Sequence, residues 1–168
     1  MPRLTLIGMP GSGKSAVGKI IAKRLGWDFI DTDRCIEERF GIGLQALVNR
    51  INAETFGRIE EETVLTLEAG ERSVISTGGS VVYSDAAMRH LSSISTVVFL
   101  DLPIQELHGH IAQDAPRGIV GMGEGGLEGL YEQRFILYKK YAHTVVLLGS
   151  ETLEEAATKV LSQCRLQI

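Results

Sequence analysis

The chain has 168 residues, 44% of them apolar and 23% charged, which suffices for the core of one ordinary domain without a disulfide or metal staple. A formal charge of −4 (17 Lys and Arg against 21 Asp and Glu) argues against a general nucleic-acid binder, which normally carries a basic excess, and leaves room for local basic sites. The two cysteines, Cys35 and Cys164, lie far apart with no paired spacing and so indicate neither a zinc site nor a disulfide framework, and no apolar run approaches the ~18 residues of a membrane span. Met1-Pro2-Arg3 enters a strand-like run without a signal-peptide pattern, so a reducing cytoplasm is the expected location.

The predicted elements alternate strand and helix. A β-rich run over 4–7 stops at Gly8. Val17, Ile20, Ile21 and Leu25 recur at helical spacing, and Gly26 stops that helix. A second strand covers 27–30, and Asp31-Thr32-Asp33 opens a helical stretch through Ile36 and Phe40. Segments 44–48 and 56–67 read as helices. A buried strand at 74–75 ends in Thr77-Gly78-Gly79, and a short helix follows at 86–91. Residues 96–100 form the clearest buried strand, with Pro103 setting up the next helix. The stretch 113–129 is rich in glycine and poor in large apolar residues, as lids and surface loops are. A helical run then carries Arg134, with Tyr131, Tyr138 and Tyr141 as packing residues. A last strand covers 145–148 and a closing helix 153–161.

Five short apolar strands separated by helices predict an α/β fold, a parallel sheet covered on both faces. Such sheets bind ligands at the carboxyl ends of their strands, here the loops after Ile7, Ile30, Ile75 and Leu100.

The first of these loops carries the strongest signal. Gly8-Met9-Pro10-Gly11-Ser12-Gly13-Lys14-Ser15 matches the phosphate-loop pattern G-x-x-x-x-G-K-S/T, directly after a strand and opening a helix. Its glycines let backbone N–H groups converge on phosphate, and the helix adds its positive end. Lys14 reaches the β- and γ-phosphates of a nucleoside triphosphate, and the Ser15 hydroxyl is a Mg²⁺ ligand. The nucleotide-binding set is Gly11, Ser12, Gly13, Lys14, Ser15 and Ala16, with ATP and Mg²⁺ as cofactors. The small size favours transfer to a small hydroxylated molecule over motor or switch work.

Asp31 and Asp33, read as extended, point the same way. One would then support Mg²⁺, directly or through water, and the other would hold the acceptor hydroxyl and take its proton. The competing reading has Asp33 only capping the next helix. Arg117 sits where a closing lid would bring positive charge to the moving phosphate. Arg134 has the chemistry to grip a substrate carboxylate in two-pronged fashion, but its spacing alone favours an exposed helix arginine.

Together these motifs resemble the shikimate kinase family, a branch of the nucleoside monophosphate kinase-like P-loop fold. The resemblance covers nearly the whole chain, in order: GMPGSGKS at 8–15, DTD at 31–33, FGRIEE at 56–61, STGGS at 76–80, Arg117, and QRFILYKKYA at 133–142. It implies transfer of the ATP γ-phosphate to the 3-hydroxyl of shikimate by a monomer, without nucleic-acid or membrane partners. The implied fold is a three-layer P-loop domain over 1–168, its five-stranded parallel sheet ordered 2-3-1-4-5. The lid would cover about 112–129, and an acceptor-binding helical region about 33–62. Catalytic roles fall to Asp33, Lys14 and Arg117. Asp33, Gly78, Gly79 and Arg134 would bind the substrate, with Arg58 as a further candidate. Ser15 and Asp31 (the latter through water) would serve the metal.

The departures fall in the acceptor site and the lid. Where the family has an arginine ligand for the substrate carboxylate, this chain has Gly57; Arg58 is turned by about 100° on a helix. Ser80 replaces the third glycine of G-G-G, Arg117-Gly118-Ile119-Val120 stands for R-P-L-L, and His110 takes the place of an arginine near the adenine. Losing one charged hydrogen bond costs on the order of 1.5–3 kcal/mol. The alternatives are therefore a related kinase for another polyol or sugar acid, or a nucleotide-binding regulator without transfer. A Glu60 lacking its arginine would favour an acceptor with a polar or cationic group.

Overall fold

The computed structural model describes residues 3–113 and 119–165. Its centre is a five-stranded, all-parallel sheet ordered β2-β3-β1-β4-β5, as expected. The strands are β1 (Arg3–Ile7), β2 (Asp28–Asp31), β3 (Ser73–Ser76), β4 (Thr96–Asp101) and β5 (Thr144–Leu147). The helices are α1 (Lys14–Leu25), α2 (Thr32–Phe40), α3 (Leu44–Val48), α4 (Ala53–Leu65), α5 (Asp85–Ile94), α6 (Ile104–Gln113), α7 (Gly126–Tyr141) and α8 (Leu153–Gln163). A single 3₁₀ turn, Val81–Tyr83, separates β3 from α5.

The central strand shows why both faces are covered. Alternate side chains of a strand point to opposite faces. Leu6 faces α1, where Gly18 sits so close to the Leu6 and Phe29 side chains that an added methyl would lie 2.7 Å from the Phe29 ring. Thr5 faces the other way and shares a 2.6 Å hydrogen bond with Ser95, the residue ending α5. Leu4, Leu6 and Ile7 are fully buried, and they join Val97, Val98, Phe99 and Leu100 of β4 in one continuous core. A smaller core of Ile36, Leu47 and Phe56 holds α2, α3 and α4 together beside the carboxyl edge of β2.

Several boundaries differ from those expected. β2 begins at Asp28 because Trp27 belongs to the end of α1: Gly26 adopts φ +65°, and the Trp27 N–H donates to the Ala22 carbonyl. α4 starts three residues before Phe56, since Asn52 caps it by accepting from the Thr55 N–H at 2.8 Å. α7 begins at Gly126, inside the stretch read as loop through Gly129, because Leu127 and Leu130 bury their side chains and anchor its first turn.

Candidate active site

A cleft of about 460 Å³ opens at the carboxyl ends of β1, β2 and β3. The phosphate loop forms one wall. Gly8 passes so near the Leu100 carbonyl that a side chain would overlap it, and Gly13 takes φ +86° as it turns the chain into α1. Gly11, Gly13, Lys14, Ser15 and Ala16 line the cleft. Lys14 folds back over the loop, its Nζ donating to the carbonyls of Gly8 (2.9 Å) and Met9 (2.8 Å). Ser12 lies buried within the loop, and its hydroxyl has no hydrogen-bond partner among the described residues.

Ser15 donates to Asp31 Oδ2 at 2.6 Å and lies 3.2 Å from the Ser76 hydroxyl. Asp31 also caps α2, its Oδ1 accepting from the Asp33 N–H at 3.0 Å. This corrects the extended Asp31-Asp33 pair. The helix already begins at Thr32, so Asp31 ends a strand while Asp33 lies in a first helical turn. Capping falls to Asp31, and the Asp33 side chain lines the cleft. Thr32 accepts from the Gly78 N–H at 3.3 Å and so ties α2 to the loop after β3.

That loop forms the floor. A methyl added at Gly79 would lie 2.9 Å from both Arg134 Nη1 and Pro10 Cδ; at Gly78 it would overlap the carboxylates of Asp33 and Glu60. A side chain at Gly78 would displace the Asp33 and Glu60 carboxylates, and one at Gly79 would press on the Arg134 guanidinium and the Pro10 ring.

Arg134 and Tyr138, one turn apart on α7, close the far side. Arg134 is 1% exposed, although its spacing alone favours a surface residue. Its Nη2 donates to the Val120 carbonyl at 2.5 Å, its Nε to the Tyr83 hydroxyl at 3.4 Å, and the guanidinium lies 5.3 Å from the Tyr83 ring centre. Tyr138, expected only to pack, also donates to the Gly79 carbonyl at 2.6 Å, which fixes the floor. Burial pushes its phenol well above the usual range.

Glu60 projects into the same half of the cleft from α4. It is 5% exposed and accepts a short hydrogen bond from the Ser80 hydroxyl. Burial raises its carboxyl to about 7; the Ser80 hydrogen bond opposes the rise, nearby Asp33 adds to it, and Arg134 opposes it. Ser80 is the site residue least visible in the sequence, where it registers only as a break in a glycine run.

The expectation for Arg58 does not hold. It points to solvent, its Nη2 donating to Glu54 Oε1 at 2.6 Å, and it does not line the cleft. One helical step carries it off the face that bears Phe56 and Glu60. Beside Gly57 the space is open: an added methyl would meet nothing within 4 Å. At the phosphate-loop end, His110 Nδ1–H donates to the Gly11 carbonyl at 2.9 Å, and Leu153 completes the rim. Arg117 lies outside the described residues, while Ile119 and Val120 line the cleft.

A parallel sheet ordered 2-3-1-4-5, with a phosphate loop joining its central strand to a helix, defines a kinase-type P-loop protein. The family model described as shikimate kinase matches residues 10–165. A shikimate kinase of Clostridium botulinum is 37% identical over 158 residues, 94% of each chain. Among solved structures, shikimate kinase from Acinetobacter baumannii in complex with shikimate superposes with a TM-score of 0.88 at 25% identity, covering 98% of this chain and 93% of that one. The Aquifex aeolicus shikimate kinase gives 0.82 at 28% identity, covering 97% and 96%. The chain belongs to the shikimate kinase family.

Proposed function

We propose that the protein transfers the γ-phosphate of ATP to the 3-hydroxyl of shikimate, giving shikimate 3-phosphate and ADP. The observation that carries this reading, beside family membership, is one cleft that joins a complete phosphate loop to Asp33 and a buried Arg134. In the proposed reaction the acceptor oxygen attacks the γ-phosphorus, and the bond from phosphorus to the β,γ-bridging oxygen breaks. Asp33 orients the acceptor hydroxyl and takes its proton. Arg134 grips the acceptor carboxylate, and Gly78 and Gly79 let the substrate approach the backbone. Lys14 supplies positive charge to the phosphates, and Arg117 has the same task by family resemblance.

The donor set suits Mg²⁺. Ser15 and Asp31 present hard oxygen atoms beside the phosphate loop, and the described residues offer no cluster of three or more His, Cys, Asp or Glu. That fits an ion held by few protein ligands, several waters and substrate phosphates. Ser15 would hold it directly and Asp31 through water; when bound it offsets phosphate charge.

The same reading treats 1–168 as one domain, with acceptor region about 33–62 and lid about 112–129, acting as a cytoplasmic monomer. No helix among the described residues is long and apolar enough to cross a membrane.

The test is ADP release from MgATP with and without millimolar shikimate. Shikimate-dependent turnover is expected, and Asp33→Asn should lower kcat by roughly 10²- to 10⁴-fold. Nucleotide binding without shikimate-dependent ADP release would overturn the reading.

A further inference from the structure

The acceptor half of the cleft holds a buried carboxyl that the phosphoryl transfer does not use. Glu60 is held at one oxygen: Oε2 accepts from the Ser80 hydroxyl, while Oε1 occupies the space that a side chain at Gly78 would need. Apolar Phe56 and Leu44 line the same pocket. The titratable and charged groups facing Glu60 are Asp33 from α2, and Arg134 and Tyr138 from α7. Among the described residues Glu60 forms no ion pair, so one hydroxyl is its direct polar support. Arg134, whose charge acts on Glu60, would therefore face two carboxyl groups when a carboxylate acceptor binds: the acceptor's own and that of Glu60.

We propose that Glu60, seated by Ser80, sets the affinity for the anionic acceptor through its own protonation state. Neutral, Glu60 leaves the Arg134 guanidinium wholly to the acceptor carboxylate. Ionised, it draws on that charge and repels the acceptor. The acceptor carboxylate stays ionised through the neutral range, so the change in charge belongs to the protein. This inference rests on shikimate as acceptor and on Arg134 as its holder. It makes Glu60 a specificity-determining residue and Ser80 a positioning residue that acts through it. The burial that raises the Glu60 carboxyl to about 7 places the change within the working range of the protein.

The experiment is shikimate binding by calorimetry to the nucleotide-free protein between pH 6 and 8.5, with KM and kcat measured over the same range at saturating MgATP. The wild-type Kd should rise about three- to tenfold with pH, and KM with it, while kcat changes less. Glu60→Gln should abolish the dependence and hold the Kd at pH 8.5 near its wild-type value at pH 6. The Ser80 hydroxyl favours the ionised carboxyl, so Ser80→Ala should move the rise to higher pH. A Ser80→Ala protein that binds more weakly by the same factor at every pH would remove Ser80 from the proposal. A flat wild-type profile with shikimate bound and phosphorylated overturns the proposal and leaves the kinase reading standing. No shikimate binding at any pH overturns the kinase reading, and the proposal with it. Should Glu60→Gln fail to melt cooperatively, the wild-type profile and Ser80→Ala decide the matter.

Discussion

Arg134 combines two duties that are usually separate: it is a buried structural group and the cation proposed to meet the acceptor. Lysine at this position keeps the charge and loses the planar fork. Arg134→Lys should raise KM for shikimate by about 10- to 100-fold, the worth of one charge-assisted hydrogen bond. The melting temperature should also fall, because the bond to the Val120 carbonyl weakens. Steady-state kinetics beside a thermal melt would check both. At this scale the sequence was legible wherever the motif itself encoded the geometry. Lys14, Ser15 and Gly79 lie where the pattern put them, and the rotation argument against Arg58 substituting at Gly57 agrees with its outward pairing to Glu54. What spacing could not reveal was burial. The sequence of α7 fits an exposed arginine as well as an enclosed one; the neighbours supplied by Val120 and Tyr83 decide between them. The i, i+2 rule for strands fails at Asp31 and Asp33 because a strand-to-helix junction separates them.

Elements were readable where periodicity and punctuation agreed. Gly26 ends α1, and the 44–48 segment has the bounds read from its apolar pattern. Starts were harder to read, because a cap precedes the first apolar residue. Asn52 and Ser84 each begin a helix before its buried face appears. α8 has the most complete signal of this kind: Thr152 and Glu155 form a reciprocal capping box. Thr152→Ala should cost about 1 kcal/mol. For a chain of this size that lowers the melting temperature by about 2–4 °C, and Thr152→Ser should restore most of the loss.

At the scale of the whole molecule, the cleft draws on every layer: α1 from one face, α4 and α7 from the other, and strand ends between them. A ligand seated there should therefore brace the entire fold. A non-hydrolysable ATP analogue with Mg²⁺ at about 100 times its Kd should stabilise the protein by about 2.7 kcal/mol. A thermal melt would register the rise, and EDTA should shrink it if Ser15 and Asp31 serve the metal as proposed. The alternation of short apolar strands with helices made a parallel sheet covered on both faces legible, whereas the order 2-3-1-4-5 was an expectation from the family resemblance, which the sheet matches.

The strand order has one more consequence, for the newborn chain. Of the five strands of this sheet β1 is made before the others, yet its two neighbours begin at Ser73 and Thr96. At the usual pace of translation the wait between β1 and the completion of β4 is on the order of 5–20 s. Leu4, Leu6 and Ile7 present an apolar strand with both edges open until β3 is made, and with one edge open until β4 follows, a natural target for a chaperone or for mispairing between nascent chains. The nucleotide pocket cannot close any sooner, because its first loop leans on the Leu100 carbonyl, more than half the chain later.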